Sequence, residues 1–171
     1  METWEAIGSR RNVRSFDGQP IPADHLDQIC EAGRRAPSSR NWQPWDFVVV
    51  TEREQLARLS RAGPGAGYLA GAAAVIALAA SPPGEDRTRD RLHYDLGQAT
   101  MSMMLAAADL GIGSGHAGVA DQGLARQVLG LPTEVFCAYL IAFGYPADRP
   151  LSLIRRPKRR PFDEVVHRGR W

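Results

Sequence analysis

The sequence has few cysteines and no long apolar run. Only Cys30 and Cys137 are present, without CxxC spacing, which excludes a disulfide framework and predicts two inert core thiols. The longest apolar run, within residues 70–80, is shorter than the ~20 residues of a membrane-spanning helix. The opening residues METWEAIGSRR lack the apolar region of a secretory signal. We therefore expect a cytoplasmic protein with no membrane partner.

The motifs of metal and covalent catalysis are also missing. No HxxxH or HxH spacing links the four histidines, His25, His93, His116 and His167, so we expect no metal site. No GxSxG sequence or Cys/His signature indicates a covalent nucleophile. The sequence GSGHAG at 113–118 matches GxGxxG but follows a predicted helix, which argues against a Rossmann dinucleotide site. A chain rich in fixed donors but poor in reactive side chains is typical of proteins whose cofactor supplies the chemistry.

Positive charge is concentrated at two places, although the formal net charge is only +2. One cluster lies in the segment RRNVR, residues 10–14, and the other lies within residues 155–160. If the first segment is extended, Arg10, Asn12 and Arg14 share one face, which suits a phosphate or an electron-rich ring; a solvated basic patch is the equally weighted alternative. Because the basic runs lack interleaved aromatic residues, we expect no nucleic-acid partner.

Hydrophobic periodicity predicts a layered α+β or α/β domain that spans residues 1–171. The segment 111–118 is predicted to be a glycine-rich bend, and the helix before it to run through the interior. After Pro146 the sequence has little periodic structure and no core of its own, so this tail must lie on another surface. Helices are expected at 3–11, 22–36, 52–62, 91–110 and 121–129, and strands at 46–52, 72–80 and 136–146.

The loop APSSRNWQPW, residues 36–45, contains two tryptophans that a simple turn does not need. Together with RRNVR and the strand DFVVV, it resembles the opening of the FMN-dependent nitroreductase family. That family has an Arg-Arg-Ser-Val-Arg stretch, a helix, an Ala-Pro-Ser-Ser-x-Asn-x-Gln-Pro-Trp loop and a strand. The resemblance continues through AAADLGIGSGHAG, VLGLP, AFGYP and RRPFDEVVH, so it covers nearly the whole chain.

The resemblance implies an α+β fold with a central mixed or antiparallel sheet, flanking helices and a long buried central helix. It further implies a homodimer with two FMN sites built from both chains, in which the tail, about residues 147–171, wraps the partner subunit. The implied activity is ping-pong hydride transfer from NADH or NADPH to FMN and then to an electron-poor small-molecule acceptor such as a nitroaromatic or a quinone.

Two alternatives to this activity remain open at the level of sequence. The same fold serves other flavin reactions, such as dehalogenation, dehydrogenation and deazaflavin chemistry. A protein without enzyme activity that binds polyanions through its basic clusters is the alternative from a different functional class.

The resemblance also implies roles for the N-terminal basic segment. Arg10, Arg11 and Asn12 match positions that hold the flavin phosphate and ribityl chain. Arg14 matches the basic residue near the pyrimidine edge of the ring, where a permanently charged guanidinium stabilises the negative charge that reduction creates. Asn12 replaces the more common serine. No side chain is expected to act as a catalytic acid or base, because the flavin does the chemistry.

The loop after the second helix matches the segment that reaches the flavin of the partner subunit. Its implied contacts are Pro37, Ser38, Ser39 and Asn41. Trp42 occupies a variable position in the family, so we expect it to be a substrate contact. The later segment GPGAGYLAG lacks an Asn and a Lys that some members direct at the flavin, and no lid-like insertion is visible.

The C-terminal half contributes the remaining implied contacts. Ala117 and Gly118 match the bend whose backbone lies beside the hydride-accepting nitrogen. Lys158 and Arg159 match the terminal phosphate clamp, where charge-assisted hydrogen bonds are stronger than neutral ones. His116 replaces a large aromatic residue of many members, and we expect it to contact substrate.

Overall fold

The chain has an α+β fold; the structure is a computed structural model that describes residues 2–82, 84 and 86–171. The strands among these residues are β1 (Asp46–Val50), β2 (Ala74–Ala80), β3 (Gly113–Gly118) and β4 (Phe136–Gly144). They form one sheet in the order β1-β2-β4-β3, and each neighbouring pair is antiparallel. The antiparallel form of the predicted central sheet is therefore the one observed.

Helices cover both faces of this sheet. Short helices precede the sheet and connect its strands, whereas one helix is much longer than the rest. Within the described residues they are α1 (Thr3–Ser9), α2 (Ala23–Arg34), α3 (Arg53–Leu59), α4 (Asp86–Asp109) and α5 (Gln122–Leu129). The predicted helices and strands are present, with ends shifted by at most three residues except at the start of α4, which begins five residues earlier than predicted.

Strand β2 explains why the protein has a hydrophobic core on each side of the sheet. Its sequence AVIALAA is buried at every position, as predicted for a strand covered on both faces. Because side chains alternate along a strand, Ile76 and Leu78 pack with α2 and α4, whereas Val75 and Ala77 pack with α3 and α5.

Helix α4 buries one face in this chain and leaves another uncovered. Leu92, Leu96, Ala99 and Met103 of α4 belong to the core between the helix and the sheet. A second row of α4 residues is exposed, and the residues at its centre are not charged; we call this row the α4 stripe. Its members recur at i, i+4, i+7 and i+11 and are Asp90, Tyr94, Gly97 and Met101.

The predicted bend at residues 111–118 is wrong for most of its length. Only Gly111, with φ of +73°, turns the chain, and Gly113–Gly118 forms β3 beside β4. The N-terminal segment runs so close to β3 that a Cβ on Gly115 would lie 2.6 Å from the Val13 carbonyl oxygen. Close approach of the N-terminal segment, rather than turning, therefore explains the glycines at positions 113 and 115 of this strand.

The start of the tail contacts α1 of its own chain. The N–H of Ile154 donates to the carbonyl of Gly8 in α1 at 3.0 Å, and Leu153 packs against Gly8. From position 155 to position 171 every residue is exposed. In the described parts of the chain, no helix is both long enough and apolar enough to cross a membrane.

Candidate functional site

The N-terminal segment lies along the outer edge of β3, which is an edge strand of the sheet. Asn12 and Ser114 form a parallel bridge, and the N–H of Val13 donates to the Ser114 carbonyl at 2.8 Å. Because backbone groups alternate along a strand, the N–H groups of His116 and Gly118 point to the same outer edge. No other described strand pairs with that edge, so it can donate hydrogen bonds to the rim of a planar ligand.

A cleft next to this edge contains two of the predicted N-terminal residues; we call it the arginine cleft. The Nη1 of Arg10 donates to the Oδ1 of Asn12 at 3.3 Å, which fixes the two side chains relative to each other. The cavity is about 350 Å³, within the range of small-molecule sites. Its walls come from the N-terminal segment, α4, β3 and β4: Arg10, Asn12, His93, Gly97, Thr100, Met101, Met104, His116 and Tyr139.

Arg14 lies farther along the same segment and stacks on an aromatic ring. Its guanidinium carbon is 5.7 Å from the centroid of the Tyr68 ring. The Tyr68 hydroxyl is buried, and no described residue accepts a hydrogen bond from it. Burial raises the pKa of this hydroxyl, and the charge of Arg14 and a hydrogen bond from its guanidinium to the phenol oxygen oppose the rise. A fixed cation and a free donor therefore lie next to β3.

Arg11 lies on the opposite side of the extended segment from Arg10 and Asn12. Its Nη2 donates to the Oδ1 of Asp148 at 2.6 Å and to the carbonyl of Arg149 at 2.8 Å. These bonds hold the pKa of Asp148 below its ordinary value. Arg11 thus connects the N-terminal segment to the start of the tail and is not a wall of the arginine cleft.

The loop of residues 36–45 is held in a strained conformation by α4. Three of its non-glycine residues have positive φ: Arg40 at 54°, Asn41 at 57° and Gln43 at 52°. The buried carboxylate of Asp95 accepts the N–H of Ser39 at 3.0 Å. Backbone strain of this kind costs of order 1–3 kcal/mol per residue and is common at functional sites.

This loop borders a second cleft, the serine cleft, which lies on a different face of α4. It contains three of the predicted loop residues, and α4 supplies the rest of its wall. The lining residues are Pro37, Ser38, Ser39, Asp90, Arg91, Tyr94, Asp95 and Gln98. Since the α4 stripe runs between the serine cleft and the arginine cleft, a single chain does not bring the two predicted half-sites together.

The remaining candidates are dispersed around these clefts. Arg159 borders a groove of about 940 Å³ that it shares with Arg10 and that runs over α1 and α4; we call it the tail groove. Lys158 is exposed and does not line that groove. The Ala117 side chain enters the core on the α5 side, whereas Gly118 faces open space.

The two tryptophans of the loop differ in their surroundings. Trp45 is buried and stacks with Phe47 at a ring separation of 6.4 Å, so it is a packing residue. Trp42 is 43% exposed, and Asn41 beside it is also exposed. Neither Asn41 nor Trp42 lines the serine cleft of its own chain.

The titratable groups indicate neither a thiol nucleophile nor a metal centre. Burial raises the pKa of Cys137 to about 12, and burial also raises the pKa of the half-buried Cys30. A thiolate is therefore scarce at either position near neutral pH. Among the described residues, no group of three or more His, Cys, Asp or Glu side chains could hold a metal ion.

Two residues of the site have no counterpart in the sequence expectations. Asp95 shares a helix face with Leu92, Leu96 and Ala99, apolar residues at helical spacing, which was a usable signal for a buried polar contact. Tyr68 is the single aromatic residue of a glycine-rich segment that was expected to contribute few polar contacts. Its contact with Arg14 joins residues 54 positions apart in the chain, and no local pattern reveals it.

Comparisons with known proteins agree with this fold and its N-terminal motifs. The sequence profile of the nitroreductase family matches residues 7–63 and 61–145. A proposed NADH dehydrogenase/NAD(P)H nitroreductase of Archaeoglobus fulgidus is 32% identical over 174 residues, 99% of each chain. The FMN reductase (NAD(P)H) of Bacillus subtilis is 26% identical over 176 residues, 92% of this chain and 71% of its own.

Solved structures agree as well. A crystal structure of a proposed NADH dehydrogenase/NAD(P)H nitroreductase from Parabacteroides distasonis has a TM-score of 0.83 and 25% identity over 99% of this chain and 98% of that one. The antiparallel sheet, the long α4 and the site motifs thus occur together with a family profile that spans most of the sequence. This chain belongs to the nitroreductase family.

Proposed function

We propose that the protein is an FMN-dependent oxidoreductase that takes electrons from NADH or NADPH and passes them to an electron-poor acceptor. The observation that carries the proposal is the arrangement of Arg10, Asn12 and Arg14 beside the unpaired edge of β3. Fixed cations, an amide and backbone donors along one edge suit a planar, electron-rich ring that ends in a phosphate. The names of the aligned relatives support the same class of reaction.

The residues present fit FMN in kind as well as in place. The outer edge of β3 offers N–H groups to the rim of the ring, and Gly118 leaves open space where a side chain would project. Arg14 stacks on Tyr68, whose ring packs against β3, and it would lie by the pyrimidine side of the ring. Arg10, Asn12, Lys158 and Arg159 would hold the ribityl chain and the phosphate through charge-assisted bonds.

When bound, FMN supplies the redox chemistry: it accepts a hydride from NAD(P)H and then reduces an acceptor, such as a nitroaromatic or a quinone, in the same pocket. The protein orients the ring and adjusts its electronic properties. The positive charge of the Arg14 guanidinium would stabilise negative charge on the pyrimidine side of the ring. Backbone N–H groups of β3 fix the ring without introducing a competing acid.

A second copy of the chain would complete the site. The α4 stripe exposes Tyr94 and Met101, and α1 beside it exposes Trp4 and Ile7, so a continuous apolar surface is uncovered. Gly97 lies in the interior of α4, where glycine costs about 1 kcal/mol relative to alanine, and its Cβ position is open. Close packing of a second α4 along this stripe would bring the serine cleft of one chain to the arginine cleft of the other.

The same association gives the exposed tail a surface. Residues 155–171 are all exposed in the single chain, and Arg155 and Arg159 border the tail groove at the margin of the apolar face. In the proposed homodimer the tail wraps the partner subunit and carries Lys158 and Arg159 to the phosphate. The acceptor would enter beside His116 and Trp42, both of which are exposed in the single chain.

The visible spectrum of the purified protein, before and after anaerobic addition of NADH or NADPH, tests this proposal. The expected result is a yellow protein whose flavin absorbance bleaches with a reduced nicotinamide and recovers when a quinone or a nitroaromatic is added. A colourless protein that does not bind added FMN would contradict the proposal, as would a bound flavin that neither nucleotide bleaches.

A further inference from the structure

The hydroxyl of Tyr68 is a buried group that no described residue uses as a donor. The guanidinium of Arg14 lies beside its oxygen, but none of the described residues accepts its hydrogen. A buried polar group left unpaired costs roughly 1–3 kcal/mol, so such groups are rare and call for an explanation. Removing this hydroxyl would relieve that penalty in the unliganded chain, and its presence therefore points to a partner outside the chain.

The surroundings of Tyr68 specify where that partner would lie. The ring packs against β3, because a Cβ on Gly115 would be 3.2 Å from its Cε2 and 3.3 Å from its Oη. The guanidinium of Arg14 stacks over the same ring at 5.7 Å. The phenol and the guanidinium therefore lie next to each other at the edge of β3, and the ring limits the orientations available to Arg14.

The chemistry of this pair suits an acceptor atom on an electron-rich rim. Arg14 and a protonated phenol both donate hydrogen bonds, and neither accepts a proton from a ligand near neutral pH. Burial raises the pKa of Tyr68, so the hydroxyl stays protonated well above neutral pH. The pyrimidine side of a flavin carries carbonyl oxygens, which are acceptors for such donors.

We propose that Tyr68 is a flavin-positioning residue that, together with Arg14, donates a hydrogen bond to the pyrimidine side of FMN. This inference rests on the proposed function. Tyr68 supplies a polar contact from the segment GPGAGYLAG, where the sequence had indicated that contacts would be few. Since the acceptor oxygen becomes more negative on reduction, the hydroxyl favours the reduced cofactor over the oxidised one.

The test compares the Tyr68→Phe variant with wild type, in the apo form and with flavin. The apo variant should melt at the same temperature as wild type or higher, because only an unpaired hydroxyl is lost. Its Kd for FMN should rise about 5- to 10-fold, the usual effect of losing one hydrogen bond. The Kd for reduced FMN should rise by a larger factor, which appears as a more negative midpoint potential of the bound flavin.

Riboflavin separates contacts to the ring from contacts to the phosphate. Tyr68→Phe should weaken binding of riboflavin and of FMN by the same factor, whereas Arg159→Ala should weaken binding of FMN alone. Tyr145→Phe is the matched control, since Tyr145 is a half-buried tyrosine outside both clefts. Its flavin affinities should remain within about twofold of wild type.

The outcomes distinguish this inference from the proposed function. If wild type binds FMN but Tyr68→Phe binds it equally well, the role of Tyr68 is wrong and the proposed function stands. If Tyr68→Phe lowers the melting temperature of the apo protein and weakens FMN binding no more than this loss of stability accounts for, Tyr68 is a packing residue and the inference is also wrong. If wild type binds no flavin, both proposals fail.

Discussion

Arg14 and Arg159 carry the same charge in different surroundings, and their proposed roles differ accordingly. Arg14 stacks on Tyr68 beside β3, so its guanidinium is held at one place. Arg159 lies in the exposed tail, and among the described residues its guanidinium donates only to the carbonyl of Lys158, at 2.9 Å. A guanidinium held in place stabilises charge at a defined position, whereas a flexible one contributes mainly to binding.

Arg14→Ala should therefore slow flavin reduction by a larger factor than it weakens FMN binding. We expect the rate constant for reduction by NAD(P)H to fall about 100-fold, the size seen when a fixed donor to developing charge is removed. The Kd for FMN should rise about tenfold or less. Anaerobic stopped-flow measurements and a fluorescence titration give the two numbers. Arg159→Ala is the matched control and should change the Kd but not the rate of the loaded enzyme; equal effects of Arg14→Ala on both would contradict the role of Arg14.

The loop of residues 36–45 shows how one helix can hold a neighbouring element in an unfavourable conformation. Its positive φ angles at Arg40, Asn41 and Gln43 are unfavourable for residues with side chains. Asp95 of α4 compensates by accepting the Ser39 N–H, and the Ser38 Oγ accepts the Gln43 N–H at 2.9 Å. Both contacts fix the part of the loop that borders the serine cleft.

Asp95→Ala should release this loop while leaving α4 intact. A buried N–H without its charged acceptor costs about 2 kcal/mol, which lowers the melting temperature by roughly 4–8 °C in a chain of this size. Hydrogen exchange of the Ser39 amide should accelerate more than that of amides within α4. Asp90→Ala, an exposed carboxylate on the same helix, should change stability by less than about 0.5 kcal/mol. Unchanged protection of Ser39 in Asp95→Ala would show that the loop is held by other contacts.

At the scale of the whole molecule, the single chain leaves three features unexplained. The α4 stripe is uncovered, the arginine and serine clefts lie on different faces of α4, and the tail beyond position 154 contacts no core. A homodimer packed along α4 accounts for all three at once. Because the two halves of the flavin site would then come from different chains, dimer formation and FMN retention should be lost together.

Met101→Glu tests this coupling. Met101 is 46% exposed on the stripe, so the variant should fold with little loss of stability. A negative charge buried in the interface, close to the same charge on the second subunit, should raise the dissociation constant of the dimer by at least about tenfold. Light scattering after size-exclusion chromatography measures the oligomeric state, and absorbance measures the flavin content. Gln127→Glu adds the same charge on an exposed position of α5 and should leave both unchanged. Because Met101 also lines the arginine cleft, the oligomeric state carries the test, and a Met101→Glu protein that remains a dimer would place the interface elsewhere.

Local patterns in the sequence were sufficient for most elements of the fold. The apolar run at residues 72–80 predicted the strand β2, and the pattern at residues 121–129 predicted the helix α5, which the structure shows with an Asp121 cap and a left-handed Gly130 at its ends. The alternation in RRNVR likewise predicted that Arg10, Asn12 and Arg14 share a face, and the hydrogen bond between Arg10 and Asn12 agrees with this for those two residues. These features depend on residues close together in the chain, where spacing determines geometry.

Contacts between distant segments were decided only in three dimensions. The glycines of β3 were predicted to form a bend. Val13, whose close approach requires glycine at positions 113 and 115, lies about 100 residues earlier in the chain. For the same reason, the contact of Arg14 with the Tyr68 ring and the hydrogen bond from Ser39 to Asp95 could not be predicted from local sequence patterns. Sequence by itself determined the elements, the family and the chemical types of the site residues. Tertiary packing decided which of them meet, because a contact across the fold leaves no periodic trace in the chain.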